Sequence, residues 1–92
     1  MPIRGWRHKG LRELFETGKT AKIARRHHKV VMMILDLLDN IHSIKDCVGV
    51  KDFHELKGDR AGTYAMRVSR NYRITFRWDG HDVYDVDFED YH

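Results

Sequence analysis

The hydrophobic residues of this 92-residue chain change their spacing near residue 63, and this change limits the folds that the chain can form. Before that point, apolar positions recur at steps of three, four and seven, as one face of an α-helix requires. After it, apolar and polar residues alternate, which is typical of strands with one buried face. Helices followed by strands predict an α+β fold, with the helices packed on one face of an antiparallel sheet. We expect a chain of this length to form a single domain over residues 1–92.

Two helices are predicted in the first half of the chain. The first starts near Leu11 and ends before Gly18, because glycine suits the position just after a helix. The second is predicted from Thr20 to Asn40. A basic stripe along an exposed face of this second helix is predicted from Lys19, Lys22, Arg26 and Lys29. Residues 3–8 are predicted to be a short extended segment, and the glycines within residues 42–63 predict turns.

Three strands are predicted in the second half, and their core-facing positions all carry even numbers: Tyr64, Met66, Val68, Tyr72, Ile74, Phe76, Trp78, Tyr84, Val86 and Phe88. Each connection therefore needs an odd number of loop residues or a β-bulge, because a slip of one residue would turn a strand inside out. With three-residue loops, Arg67, Arg73 and Asp87 line up across the polar face. Opposed arginines repel unless an anion is near, so we expect Asp87 to neutralise one of them. The polar face is expected to stay open to solvent or to a ligand.

The net charge of +3 conceals four blocks of alternating sign. Residues 1–30 carry a balance of +7 and residues 57–77 one of +5, whereas residues 31–56 carry −3 and residues 78–92 carry −6. Basic blocks of this size indicate a polyanionic partner, and the small total argues against a protein that simply coats nucleic acid. Pairing between acidic and basic blocks inside the fold accounts for part of the pattern.

The sequence also argues against several classes of protein. Its longest apolar run, from Val30 to Leu35, is far shorter than the ~20 residues that span a bilayer. The basic residues 1–9 are not followed by the apolar stretch of a signal peptide, so we expect a cytoplasmic protein. Cys47 is the one cysteine of the sequence, which removes an internal disulfide and predicts a buried or semi-buried thiol without a catalytic task.

Groups that transfer protons or stabilise anions lie in the turn-rich segment, on the sheet and at the carboxyl-terminal end. His54 is a candidate because histidine ionises near neutral pH, although a histidine in a loop is more often exposed or a cap. Arginines on a sheet face bind phosphate or are simply solvated and ion-paired, and composition does not decide between the two. His27, His28 and His42 lack a second set of ligands at metal spacing, so no metal or cofactor is predicted.

Several motifs resemble those of one group of bacterial proteins. Residues 56–64 (LKGDRAGTY), followed by residues 66–68 (MRV) and 71–76 (NYRITF), resemble the signature of the RelE/ParE toxin superfamily. The ending EDYH at residues 89–92, with HKGL at residues 8–11, is similar to the HigB branch. The resemblance covers nearly the whole chain and implies the β-α-α-β-β-β fold of a microbial ribonuclease-like domain.

The resemblance implies the toxin of a bacterial type II toxin–antitoxin pair, an endoribonuclease that inhibits translation by cleaving messenger RNA codons in the ribosomal A site through metal-free 2′-hydroxyl attack. By position, the residues matching the acid–base group of the family are His54, Asp90, Tyr91 and His92. Those matching RNA-contacting residues are Lys57, Asn71 and Arg73, and Arg67 joins them as the expected neighbour of Arg73 on the sheet. The choice of general base and general acid stays open.

The resemblance also implies partners. These are the ribosome and its messenger RNA, and a HigA-like helix-turn-helix antitoxin through which alone the toxin reaches operator DNA. Contacts to ribosomal RNA are ascribed to five basic residues: Lys19, Lys22, Arg25, Arg26 and Lys29. Two other functions stay open, namely a ParE-like toxin that poisons DNA gyrase without nuclease activity, and an inactive protein that only holds an antitoxin. His54 and the Tyr91-His92 ending favour the nuclease.

Overall fold

The computed structural model describes residues 2–91 and places two α-helices on one face of a four-stranded antiparallel sheet. The helices are α1, Lys9–Thr17, and α2, His28–Leu38. The strands, in their order across the sheet, are β1, His54–Glu55, β2, Thr63–Arg67, β3, Tyr72–Trp78, and β4, Val83–Asp90. Short 3₁₀ turns cover Arg25–His27, Ile44–Cys47 and Gly58–Arg60. This architecture confirms the predicted α+β class. No helix in the described part of the chain has the length and apolar character to cross a membrane.

Helix α1 is capped at both ends, by His8 before its first turn and by Gly18 after its last. Nδ1 of His8 accepts a hydrogen bond from the backbone N–H of Leu11 at 3.3 Å. At the other end, Gly18 has φ +84° and its N–H donates to the carbonyl of Leu14 at 2.8 Å. Glycine tolerates this left-handed backbone because it has no Cβ. The predicted end of the first helix is confirmed.

Helix α2 is shorter than predicted, since it begins at His28 and not at Thr20. Oγ1 of Thr20 accepts from the backbone N–H of Lys22 at 3.1 Å, and local side-chain bonds of this kind compete with a helical ladder. The carbonyl oxygen of Ile23 lies 2.8 Å from Nε2 of His28 instead of bonding within a helix. The predicted basic stripe is therefore wrong, because among its four residues only Lys29 lies in α2.

The segment before α1 is extended, as predicted, and lies along the outer edge of β4. Ile3 forms a parallel bridge with Val83, and Trp6 forms one with Val86. The backbone N–H of Arg4 donates to the carbonyl of Val83 at 2.7 Å. These bonds cover a strand edge that would otherwise expose unpaired backbone groups.

The connections within the sheet obey the parity rule. Between β2 and β3 the backbone N–H of Val68 donates to the carbonyl of Tyr72 at 2.9 Å, which leaves three residues in the loop. Between β3 and β4 the register shifts between Thr75 and Arg77, and Asp85 in β4 has φ +53°, a left-handed conformation that some bulges contain. The predicted need for an odd loop or a bulge is confirmed: the β2–β3 connection has an odd loop, and the β3–β4 connection has a bulge.

The bulge also overturns two predictions. It reverses the start of β4, so that Val83 is buried and Tyr84 lies only partly buried opposite Arg77. The predicted inward position of Tyr84 is therefore wrong. At the other end of β4, Glu89 and not Asp87 pairs with Arg73, so the predicted row across the polar face is wrong in its third member.

The core lies between the helices and the even-numbered face of the sheet. Its most buried side chains include Leu11, Leu14, Val31, Ile34, Leu35, Leu38, Met66, Ile74, Phe76 and Val86. Cys47 is buried with them, which confirms the predicted buried thiol. Burial, with a smaller effect of Asp46, raises the pKa of this thiol to about 11 and keeps it protonated at neutral pH.

Candidate active site

The candidate site lies on the sheet face opposite the helices. Residues that are directly paired across neighbouring strands point to the same face of a sheet. One row across β2, β3 and β4 is formed by Arg67, Arg73 and Glu89. The next row, across all four strands, is formed by His54, Ala65, Thr75 and Asp87. At a spacing of about 4.8 Å per strand, His54 lies within roughly 10 Å of Thr75. The structure thus brings His54, Arg67 and Arg73 to one face.

A tight turn of non-glycine residues precedes His54. Lys51 and Asp52 have φ +46° and +60°, and the turn closes with a backbone hydrogen bond of 3.0 Å. Consecutive positive φ values are typical of a type I′ turn, in which aspartate is tolerated and lysine is strained. The turn is attached to the sheet because the backbone N–H of Arg67 donates to the carbonyl of Lys51 at 2.7 Å. The sequence does not show β1 itself, since two residues are too few for an alternating pattern.

The position of the His54 ring determines which nitrogen accepts a proton. Nδ1 lies 2.8 Å from the carbonyl oxygen of Asp52. A carbonyl oxygen only accepts, so Nδ1 carries the hydrogen and donates it. In the neutral ring Nε2 then holds the free lone pair. His54 is exposed, so this atom belongs to an accessible imidazole.

Tyr91 lies beside Arg73 just after β4. Cζ of Arg73 is 5.0 Å from the centre of the Tyr91 ring, which is within cation–π distance. The backbone N–H of Tyr91 donates to the carbonyl of Asn71 at 2.8 Å and so continues the pairing of β3 with β4 by one residue. Three of the predicted site residues, Asn71, Arg73 and Tyr91, therefore meet at this end of the sheet.

Glu89 joins the cations of this face, and sequence reasoning missed it. Nη1 and Nη2 of Arg60 donate to its two carboxylate oxygens at 2.9 and 2.5 Å. Nη2 of Arg73 donates to it at 3.1 Å and Oγ1 of Thr75 at 2.7 Å. The hydrogen bonds from Arg60, followed by those from Thr75 and Arg73, lower the pKa of Glu89 to about 2 against the opposing effect of burial. Glu89 is therefore ionised throughout the neutral range.

The Arg60 side chain spans the face to reach Glu89. Arg60 lies in the 3₁₀ turn after β1, whereas Glu89 lies in β4, on the far side of β2 and β3. Ala65 and Thr75 are buried although both belong to this face. The expectation of a face fully open to ligand is therefore wrong in its centre, where the Arg60–Glu89 bridge lies. Arg60 belongs to a motif that is visible in the sequence. Its partner Glu89 is 29 residues further along the chain, so the pairing was not visible.

The other predicted site residues differ in their placement relative to this bridge. Arg67 is exposed, and its side chain has no hydrogen bond or ion pair to another residue in the range 2–91. Lys57 is exposed just before the 3₁₀ turn. Asp90, the exposed last residue of β4, follows Glu89, so alternation places it on the opposite side of the sheet. His92 lies outside the described residues.

The five basic residues ascribed to ribosome binding are all exposed, and they lie in three separate places and not in one stripe. A recess of about 740 Å³ between the end of α1 and the start of α2 is lined by Lys19, Lys22, Arg25 and His28, among others. Arg26 lines a separate recess of about 360 Å³ beside the β2–β3 loop, together with Asn71. Lys29 lies in the first turn of α2.

The neighbouring histidines that invited a metal reading have separate environments. His27 is buried against the rings of Tyr72 and Phe88, at centroid distances of 5.2 and 5.9 Å. Its Nε2 has no hydrogen-bond partner among the described residues, and burial lowers the pKa of the ring. Nε2 of His28 instead bonds the Ile23 carbonyl. Within residues 2–91 no three His, Cys, Asp or Glu side chains are grouped so as to hold a metal ion.

Comparison with known proteins gives a family and a close relative. Residues 4–92 match the family described as the RelE-like toxin of type II toxin–antitoxin system HigB. The endoribonuclease HigB of Proteus vulgaris is 35% identical over 91 residues, which span 98% of this chain and 99% of the relative.

Two solved structures share the fold at low sequence identity. The YoeB–YefM complex from Staphylococcus aureus has a TM-score of 0.60 at 18% identity, covering 100% of this chain and 99% of that one. The YoeB/ParE toxin from Agrobacterium tumefaciens has a TM-score of 0.57 at 19% identity, covering 100% of both chains. These structures confirm the predicted fold.

Proposed function

This chain belongs to the HigB-like toxins, the RelE-like toxins of type II toxin–antitoxin systems, and on that premise we propose that it is a messenger-RNA endoribonuclease. Its proposed substrate is the codon held in the ribosomal A site, and cleavage there stops translation. The activity is supported by the name of the Proteus vulgaris relative, an endoribonuclease with 35% identity over nearly the full length of both chains.

The proposed reaction is attack of an RNA 2′-oxygen on the adjacent phosphorus. The 2′-hydroxyl loses its proton to a base, the bond from phosphorus to the 5′-oxygen breaks, and an acid protonates that oxygen. The products are a 2′,3′-cyclic phosphate and a 5′-hydroxyl, and the phosphate carries extra negative charge during the reaction. The observation that carries the proposal is that His54, Arg73 and Tyr91 lie on one sheet face, which supplies a proton acceptor and a cation on the same surface.

We assign proton removal to His54. The Asp52 carbonyl holds its Nδ1–H, so the accessible neutral ring presents Nε2 as the accepting atom. General base catalysis by a positioned side chain is worth roughly 10²–10⁴-fold.

Stabilisation of the phosphate charge is assigned to the cations of this face. Arg73 is fixed by Glu89, and preorganised donors of this kind stabilise a developing charge by a few kcal/mol. Arg67 has no carboxylate partner among the described residues, so its guanidinium is available to a second phosphate oxygen. Lys57 is exposed next to the face and is assigned to the RNA backbone.

The carboxyl-terminal residues complete the assignment on the basis of their family positions. Tyr91, with its ring against Arg73, is assigned to contact with the unpaired nucleotide by stacking. His92 is assigned to protonation of the leaving 5′-oxygen, and Asp90 to the orientation of His92. Asn71, which bonds the backbone of Tyr91, is assigned to a base edge.

The proposed dependence on the ribosome is supported by the small size of the exposed sheet surface. A small sheet surface must order a flexible RNA strand by itself, whereas the A site presents a codon already positioned. The exposed basic side chains around the α1–α2 connection are assigned to contact with the phosphate backbone of ribosomal RNA. Contacts of that kind weaken steeply as the salt concentration rises. Charge reversal of Lys19, Lys22 and Arg25 is expected to lower inhibition of translation without unfolding the protein, and unchanged inhibition would remove this assignment.

As a toxin of a type II system, the protein has an antitoxin partner. We propose that this partner is a HigA-like protein with a helix-turn-helix domain, and that the toxin reaches operator DNA only through it. Co-expression of the two chains followed by an operator-shift assay tests this, since the isolated toxin is expected to leave the DNA unshifted.

The deciding experiment uses programmed ribosomes and purified protein. We expect cleavage within the A-site codon by the wild type, and a loss of at least about 100-fold in His54→Ala and in a chain lacking Tyr91-His92. His81→Ala, which removes an exposed histidine from the β3–β4 turn, is the matched control and is expected to cleave normally. Absence of cleavage together with inhibition of DNA gyrase would replace the proposal by the ParE-like function. Absence of both activities would leave a protein that only holds its antitoxin.

A further inference from the structure

We propose that Glu89 is a positioning residue for RNA cleavage: its carboxylate fixes the guanidinium of Arg73 against Tyr91 in the orientation that receives the substrate phosphate. This inference rests on the proposed function. It concerns a side chain that does not itself touch the substrate and that acts through its neighbour.

The Arg73 guanidinium is held along one edge. Its Nε and Nη2 lie 3.4 and 3.1 Å from the same oxygen of Glu89. Arginine has five N–H donors in a rigid plane, so a carboxylate on the Nε–Nη2 edge leaves the N–H groups of Nη1 free in a fixed direction. Cζ of this guanidinium lies 5.0 Å from the centre of the Tyr91 ring. One carboxylate therefore orients the guanidinium that lies against Tyr91.

Glu89 is itself held too firmly to act as a mobile group. Arg60 binds both of its oxygens, and the Thr75 hydroxyl binds one of them at 2.7 Å. Its side chain is only 18% exposed. Because its oxygens are occupied by these donors, it has no lone pair placed to remove the substrate proton. Its role in the reaction is therefore orientation.

The net charge of Arg60, Arg73 and Glu89 favours binding of an anion by Arg73. Arg60 and Arg73 together carry two positive charges and Glu89 one negative charge, so the trio retains a net positive charge. A carboxylate paired with Arg73 alone would cancel the charge that the phosphate needs. Arg60 therefore supports the site indirectly, by balancing Glu89.

The test is the Glu89→Gln substitution, which keeps the shape of the side chain and removes its charge. With programmed ribosomes we expect kcat to fall about 10- to 100-fold while KM changes less than about threefold, since misorientation of a bound group slows the chemical step. The matched control is Glu16→Gln, which breaks an exposed Arg12–Glu16 pair of the same chemistry on α1 and is expected to leave both constants unchanged. An unchanged kcat in Glu89→Gln would overturn the proposal. So would a lower KM with kcat retained, because Glu89 would then occupy the place of the phosphate.

A second measurement separates this proposal from the proposed function. In ¹⁵N NMR spectra of the isolated protein, the Nε–H of Arg73 is expected to exchange slowly with solvent in the wild type and rapidly in Glu89→Gln. If the wild type does not cleave RNA, the proposed function fails, whereas the NMR result still tests the anchoring of Arg73. Thr75→Val removes one anchor of Glu89 from a buried position and serves if Glu89→Gln does not fold. We expect it to lower kcat about 2- to 5-fold, and equal exchange rates of the Arg73 Nε–H in wild type and Thr75→Val, with equal kcat, would refute the role.

Discussion

Arg67 and Arg73 face each other directly across β2 and β3, and only Arg73 has a carboxylate partner among the described residues. Like charges at opposed positions of an antiparallel pair destabilise it by a few tenths of a kcal/mol. Glu89 neutralises the charge of Arg73, whereas Arg67 is exposed to solvent. Under the proposed function the fold tolerates this repulsion because an RNA phosphate completes the row.

Replacing Arg67 is therefore expected to stabilise the protein and weaken its interaction with RNA. We predict that Arg67→Met raises the free energy of unfolding by about 0.5 kcal/mol, as measured in urea. The same variant should bind programmed ribosomes more weakly, with a salt dependence reduced by about 0.7 in log–log slope, as loss of one single-strand phosphate contact requires. Arg12→Met, on α1, is the control and should change neither quantity beyond experimental error. An unaltered salt slope in Arg67→Met would count against a phosphate contact.

The turn before His54 supplies a second prediction. Asp52→Val places a β-branched residue at φ +60° and is expected to cost about 1–2 kcal/mol of stability. Because the Asp52 carbonyl holds Nδ1 of His54, the same change should also lower the cleavage rate. Lys51→Gly relieves a strained position in the same turn, and we expect it to gain about 0.5 kcal/mol with normal cleavage. Equal cleavage rates in the two variants at full folding would show that the turn does not position the imidazole.

Features that depend on neighbours in the sequence were accessible without coordinates. Gly18 marks the end of α1 because a left-handed position favours glycine wherever it occurs. The alternation after residue 63 gave three of the strands, and parity required a bulge or an odd loop at each connection. The start of α2 was misplaced because the side chain of Thr20, and not the apolar spacing, sets the local backbone.

Partners distant in sequence were not accessible. Parity allowed a bulge or an odd loop between β3 and β4, but did not say which, so the carboxylate opposite Arg73 was misplaced by two residues, at Asp87 and not Glu89. The Arg60–Glu89 bridge depends on that register and on β1, a strand too short to leave a pattern. The cations of the site were thus visible in the sequence, whereas the anion that orders them was not.

Glu89 also links stability to pH. Its pKa is about 2 in the folded protein, whereas an unfolded glutamate ionises near pH 4.3, so its contribution is fully present above that value and is lost as the pH falls toward 2. We predict that Glu89→Gln lowers the free energy of unfolding by up to about 3 kcal/mol at pH 7, and by progressively less at pH 4 and pH 3. Urea unfolding of both proteins at the three values measures the difference. A gap that stays constant down to pH 3 would mean that the ionised carboxylate is not the source of the stability.

His27 provides the opposite case, a buried polar group whose removal should stabilise the fold. Its Nε2 has no partner among residues 2–91, and an unsatisfied buried group costs about 1–3 kcal/mol. Phenylalanine keeps the ring contacts with Tyr72 and Phe88, so we predict that His27→Phe raises the free energy of unfolding by about 1 kcal/mol at pH 8.

The gain from His27→Phe should grow as the solution becomes more acidic. Burial holds the pKa of His27 below its usual 6.5, so the unfolded chain takes up a proton first and the wild type loses stability as the pH falls below about 6.5. Phenylalanine has no proton to take up, and the stability difference between the two proteins should therefore be larger at pH 5.5 than at pH 8. If the two curves of unfolding free energy against pH are parallel, the pKa of His27 is not lowered in the folded protein, and the buried imidazole has a hydrogen-bond partner in solution.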